Sequence, residues 1–94
     1  MSQTKYEVKL TTQFKKDLKL CAKRNYKLSL LSEVVKMLQN ELSLPEKYRD
    51  HELTGNYSGH RECHIRPDWL LIYKIENNNL ILTLTRTGTH SDLF

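Results

Sequence analysis

A chain of 94 residues with 38% hydrophobic content supports one domain around one modest core and excludes a second. Its apolar runs, such as Trp69 to Tyr73, are too short to cross a bilayer, and Met-Ser-Gln-Thr-Lys lacks the apolar segment of a signal peptide, so a cytoplasmic protein with no membrane partner is expected. The net charge of +4 divides unevenly: residues 1–49 hold 11 Lys/Arg and 5 Asp/Glu (+6), residues 50–94 hold 4 and 6 (−2). The basic half is either a set of phosphate contacts or a solvated lysine face.

In chain order, Tyr6 to Leu10 alternates apolar and polar and predicts a strand, after which Thr11 or Thr12 can cap a helix. Phe14, Leu18, Cys21 and Ala22 form the apolar stripe of that helix, and lysines, Lys15 and Lys19 among them, cover the rest. Asn25-Tyr26 breaks the pattern, and Leu28, Leu31, Val35, Leu38 and Leu42 form a second stripe that Pro45 ends. A loop containing Gly55 and Gly59 follows, then three period-two segments, Arg61 to Arg66, Trp69 to Ile75 and Leu80 to Thr87, separated by turns at Pro67-Asp68 and Asn77-Asn78. The prediction is a single α+β domain over residues 1–94, with an N-terminal strand and helical hairpin packed on a small, antiparallel-dominated sheet. Cys21 and Cys63 have no metal-type spacing and are expected to be reduced, unpaired thiols.

A two-residue turn at Pro67-Asp68 places Glu62, His64, Arg66, Trp69 and Tyr73 on the face away from the helices, with Cys63, Ile65, Leu70 and Ile72 buried opposite. A turn centred on Asn77-Asn78 pairs Trp69 with Arg86 and puts Arg86, Leu82 and Leu84 on that same outer face. A one-residue slip reverses both assignments.

All four histidines, 51, 60, 64 and 90, lie in the second half. The sequence Tyr48-Arg-Asp-His51-Glu-Leu-Thr-Gly55, then Tyr57-Ser-Gly59-His-Arg61-Glu-Cys-His64-Ile-Arg-Pro67-Asp68-Trp69-Leu-Leu-Ile-Tyr73, then Arg86-Thr-Gly88-Thr-His90-Ser-Asp-Leu93-Phe94 resembles the YafQ branch of RelE-like toxins over nearly the whole chain. The weight lies on the His-x2-Pro-Asp-Trp segment and the Arg-Thr-Gly-Thr-His tail. The resemblance implies a RelE-like fold and a type II toxin that cleaves mRNA in the ribosomal A site, contacts ribosomal RNA and is held inactive by a cognate antitoxin. It places the catalytic histidines at His51, His64 and His90 and the catalytic aspartate at Asp68, and it matches Trp69, Arg86 and Phe94 to further active-site positions. Glu62 departs from the family's aspartate, and His60 matches no family histidine.

The chemistry expected of these groups is metal-free RNA cleavage by the ribose 2′-OH. Histidine, with an unperturbed pKa of about 6.5, can donate or accept a proton near neutrality. His90 is assigned the acid, Asp68 and His64 the base side, His51 the phosphate or a share in proton transfer, and Arg86 the charge on the phosphoryl oxygens. Trp69 and Phe94 offer stacking surfaces, Glu62 a substrate contact, and Lys15 and Lys19 backbone contacts. Neither cofactor nor metal is expected, because residues 63 and 64 of His60-x2-Cys63-His64 point to opposite faces of a strand. A +6 first half suits an acidic, partly disordered antitoxin.

Each residue also has a plainer reading. Trp69 serves equally well as core, Phe94 as a plug, Pro67-Asp68 as a turn and Arg86 as half of a structural ion pair. A module that binds RNA, ribosome or antitoxin without cutting is the alternative function.

Overall fold

The computed structural model describes residues 5–94; the Met-Ser-Gln-Thr stretch considered for a signal peptide lies outside them. β1 (Glu7–Leu10) leads into α1 (Thr12–Lys23) and α2 (Leu28–Gln39), followed by two short 3₁₀ turns (Glu46–Tyr48 and Gly55–Tyr57) that flank the two-residue β2 (His51–Glu52). β3 (Arg61–Arg66), β4 (Trp69–Glu76) and β5 (Ile81–Gly88) form the meander, and α3 (His90–Leu93) ends the chain. The five strands lie in the order β1-β5-β4-β3-β2, with β1 parallel to β5 and every other pair antiparallel. The expected α+β architecture is therefore present, with the N-terminal strand added to the sheet. None of the helices among the described residues is long and apolar enough to cross a membrane.

Local chemistry accounts for the helix starts and stops. The Thr11 side chain accepts the Phe14 N–H and caps α1, an interaction worth about 1 kcal/mol. Asn25 adopts a positive φ of 61°, breaking the hairpin between α1 and α2 at a residue type that tolerates it. Phe14 and Cys21 are buried as expected, but the turn between them buries Asp17 rather than Leu18 or Ala22. On α2 the fully buried residue is Val34, and Leu42 is exposed beyond the helix end.

Two β-bulges decide which strand residues face the helices. Arg66 pairs with Trp69 as the turn predicts, but the register then shifts, so His64 opposes Leu70, Cys63 opposes Leu71 and Glu62 opposes Ile72. The extra residue, Ile65, turns Leu70 and Ile72 to the outer face and Trp69, Leu71 and Tyr73 to the helix side. The β4–β5 loop spans Asn77–Leu80, pairing Glu76 with Ile81, and a second bulge lies between Ile72 and Tyr73, where β4 opposes Arg86 and Leu84. Leu82 and Leu84 consequently pack in the core, while Arg86 still opposes Ile72 on the outer face.

The main core lies between α1, α2 and the sheet and contains Tyr6, Phe14, Leu31, Val34, Trp69 and Tyr73 with their neighbours. Cys21 and Cys63 are free and buried within it, and burial pushes both thiols up in pKa, which makes them unreactive filler. A smaller cluster of Leu70, Ile72 and Leu93, with Leu53 and Tyr57 against it, lies on the outer face under α3. The expected polar face thus rests on an apolar pad that seats the C-terminus.

Candidate active site

Glu62 is the centre of the site. It is 4% exposed and lies directly across the β2–β3 ladder from His51 and two residues from His64 on the same strand face. Its Oε1 lies 3.6 Å from His51 Nε2 and 3.4 Å from His64 Nε2. The ring centroids of His51 and His64 are 6.3 Å apart, and those of His64 and His90 are 5.6 Å apart. His51, His64 and His90 therefore form one cluster, and the buried carboxylate at its centre is Glu62, which the sequence offered only as a substrate contact. His60 stands apart against Tyr57, with ring centroids 6.1 Å apart, and is no part of the cluster.

Each clustered ring is oriented through Nδ1. His51 Nδ1 is 2.7 Å from the Arg49 carbonyl, His64 Nδ1 is 3.3 Å from the Pro67 carbonyl, and His90 Nδ1 is 2.6 Å from Asp68 Oδ1. Carbonyls and an ionised carboxylate only accept hydrogen bonds, so the hydrogen belongs on Nδ1 in each ring and Nε2 is presented to the site. Asp68 is ionised because the His90 backbone N–H and then its side chain hold the carboxyl below its usual pKa. This changes the expected grouping: Asp68, grouped with His64 from the sequence, is hydrogen-bonded to His90 instead.

His90 owes its position to the tail's own chemistry. Thr89 and Asp92 form a reciprocal capping box at the start of α3, and Arg24 reaches across from α1 to hold Asp92 at 2.6 Å. Gly88, at φ 157°, admits this arrangement, since a Cβ there would lie 2.8 Å from Asp92 Oδ2. Leu93 anchors the turn in the outer apolar cluster, while Phe94 is 64% exposed and meets the Tyr57 ring edge-on at 5.7 Å.

Two expected site residues are placed differently. Trp69 is 1% exposed, packs against Tyr26 at 4.9 Å and donates its indole N–H to Thr87 at 2.9 Å, so it is core and not a stacking platform. The bulge at Ile65 is the cause. Arg86 is held by Asp17 through Nε at 2.9 Å and Nη2 at 3.0 Å. Desolvation pushes the Asp17 carboxyl up, but Arg86, Gln13 and the Thr87 N–H together outweigh it and hold the group below its usual pKa. Arg86→Ala is expected to cost about 3 kcal/mol by leaving Asp17 buried and unpaired, and a urea titration that moves by less than about 1 kcal/mol would remove the ion pair from the fold's support. Lys15 and Lys19 are exposed on α1 and make no ion pair among the described residues.

Asp17 escapes a reading of the sequence alone, although a carboxylate at the stripe position between Phe14 and Cys21 is itself a sign of a buried partner. Tyr57 escapes it too, and only the tail's return to the second 3₁₀ turn reveals it.

The model of the family described as bacterial toxin of type II toxin-antitoxin system, YafQ, matches residues 6–94. The chain belongs to the YafQ toxin family. It is 40% identical over 89 residues to the mRNA interferase toxin YafQ of Escherichia coli K12, an alignment covering 94% of this toxin and 95% of the relative. YafQ in the E. coli DinJ–YafQ toxin–antitoxin complex superposes with a TM-score of 0.86 at 40% identity, covering 96% of this chain and 98% of that one. A metal-bound toxin from Helicobacter pylori superposes at 0.89 with 43% identity, covering 95% and 99%. The toxin is accordingly an mRNA interferase of the type II class, as the motifs implied.

Proposed function

We infer that the histidine cluster cuts ribosome-bound mRNA by attack of the ribose 2′-oxygen on the adjacent phosphorus. The observation that carries this reading is the gathering of three imidazoles around Glu62, with His51 Nε2 and His64 Nε2 3.6 and 3.4 Å from its Oε1, a ring nitrogen of His90 within 4.8 Å of the Glu62 and His64 donor atoms, and each ring held by an acceptor at Nδ1.

Glu62 balances the charge of an imidazolium at one of His51 and His64, which leaves the bare Nε2 of the other, neutral ring to take the 2′-OH proton. The 2′-oxygen forms a bond to phosphorus as the bond from phosphorus to the 5′-oxygen breaks. His90, with Nδ1–H on Asp68, delivers the Nε2 proton to the departing oxygen, and the Asp68 charge balances the imidazolium. Arg86 keeps Nη1 outside its two-point pair with Asp17, and that edge can face a phosphoryl oxygen.

The products should carry a 2′,3′-cyclic phosphate and a free 5′-hydroxyl. Ribosomes programmed with mRNA bearing 2′-deoxyribose at the cut site test this: no cleavage is expected, and cleavage at that bond overturns the mechanism. Glu62, His64 and His90 offer donor atoms within 4.8 Å of one another, a set that also fits a transition metal. Bound there, a metal would occupy the nitrogens that move protons, so toxin stripped with EDTA and freed of the chelator before it meets ribosomes should still cleave. Loss of cutting by the stripped toxin and recovery with zinc would reassign the cluster to metal-assisted chemistry.

Phe94 is proposed to stack on an unpaired base, with Tyr57 behind it. Stacking of this kind contributes about 1–3 kcal/mol, so deletion of Phe94 should lower kcat/KM by roughly 5- to 150-fold while the melting temperature holds. Unchanged cleavage would reduce the residue to surface packing. Lys15 and Lys19 are proposed to meet RNA backbone.

The proposed partner is an acidic antitoxin, in keeping with the E. coli relative solved with DinJ. An apolar groove of about 320 Å³ between α1 and α2, with Leu10, Phe14, Leu18 and Val35 along it and Lys36 beside it, suits the apolar face of such a segment.

A further inference from the structure

A second groove, of about 600 Å³, opens at His64 and runs between α2, the first 3₁₀ turn and the β3–β4 turn. Its floor is apolar, formed by Leu30, Ile65 and the half-buried Tyr48. Its rim is cationic. Lys47, Arg49 and Arg66 are exposed along it, and none lies within 4 Å of a carboxylate among the described residues. Glu33 is the one acidic residue lining the groove.

The groove is built into the site and is not merely beside it. Arg49 adopts a left-handed conformation, φ 49° and ψ 43°, unusual for a residue with a side chain, and in that conformation its carbonyl orients His51. His64 is wall to the groove and neighbour to Glu62, so an RNA strand whose phosphate lies at the cluster continues along Ile65 and Arg66.

We propose that this groove holds the nucleotide flanking the scissile phosphate, with its base on the apolar floor and its phosphates between Arg49, Arg66 and Lys47. An apolar groove edged by cations outside any ion pair among the described residues, with Lys47 Nζ 5.1 Å from the Tyr48 ring centroid, suits the backbone and bases of single-stranded RNA. The proposal rests on the endoribonuclease reading of the cluster. An acidic antitoxin segment is the competing occupant.

The test measures binding of the toxin to ribosomes carrying mRNA in the A site, in a His90→Ala background. Arg49→Gln and Arg66→Gln should each weaken binding and flatten the plot of log affinity against log salt by about 0.7 for each phosphate no longer neutralised, and by about 1.4 together. Glu33→Gln should tighten binding, an effect that damage to the fold would not produce. The proposal is overturned if the double variant keeps the parent affinity and salt slope, or if these variants change only the affinity for an acidic antitoxin peptide. If His90→Ala cuts like the wild type while the groove variants still weaken binding, the groove stands and the catalytic reading falls. Loss of cutting in His90→Ala together with unaltered binding by the groove variants removes the groove and leaves the catalytic reading in place.

Discussion

Replacing His90 by alanine is expected to lower mRNA cleavage by about 10²- to 10⁴-fold, the contribution of a positioned general acid, with little change in stability. The side chain is exposed on a short terminal helix, and α3 is held by the Thr89–Asp92 capping box, Arg24 and Leu93, none of which the substitution touches. Mapping RNA ends on translating ribosomes with both proteins is the measurement. Equal cutting would sink the acid assignment, and equal growth arrest without cutting by either protein would favour a binding module. Asp68→Asn supplies a companion test, because it removes the charge that orients His90 but leaves both Nδ1 and the peptide N–H a partner at the same position. A smaller loss than in His90→Ala is expected, and a larger one would return Asp68 to direct chemistry.

Trp69→Ala should cost about 3–5 kcal/mol, because it empties a fully buried site and removes the partner of Tyr26. For a domain of this size that is a fall of roughly 15–30 °C in melting temperature. Trp69→Phe retains most of the packing and loses the hydrogen bond to Thr87, whose hydroxyl still donates to the Leu70 carbonyl, so a loss of about 1–2 kcal/mol is expected. Cleavage per folded molecule should stay near the parent value in Trp69→Phe. A well-folded Trp69→Phe protein that loses more than tenfold in cleavage would restore the stacking role that the buried position denies it.

His90 was legible from sequence, whereas the burial of Trp69 was not. Period-two and helical patterns located α1, α2 and the meander, because burying one face of each element leaves a repeat that short-range order preserves. The motifs located His51, His64, Asp68 and His90, because side-chain identity alone specifies which groups can move protons. Alternation also put Glu62 and His64 on one face correctly, since both precede the first bulge along β3.

Beyond that bulge, sequence alone had no purchase. An extra residue at Ile65 exchanges the faces of Trp69 and Leu70, and the shift between β4 and β5 returns Leu82 and Leu84 to the core while Arg86 stays outside. Bulge positions depend on how the whole sheet packs under two helices, and no local residue type announces them here. The partners decided at long range follow the same rule: Asp17 meets Arg86 69 residues away, and Arg24 meets Asp92 68 residues away. What this sequence determined by itself was the inventory of elements and titratable groups. Which carboxylate serves which histidine, Asp68 for His90 and Glu62 for the other two, was decided only when strand register and the return of the tail set the distances between them.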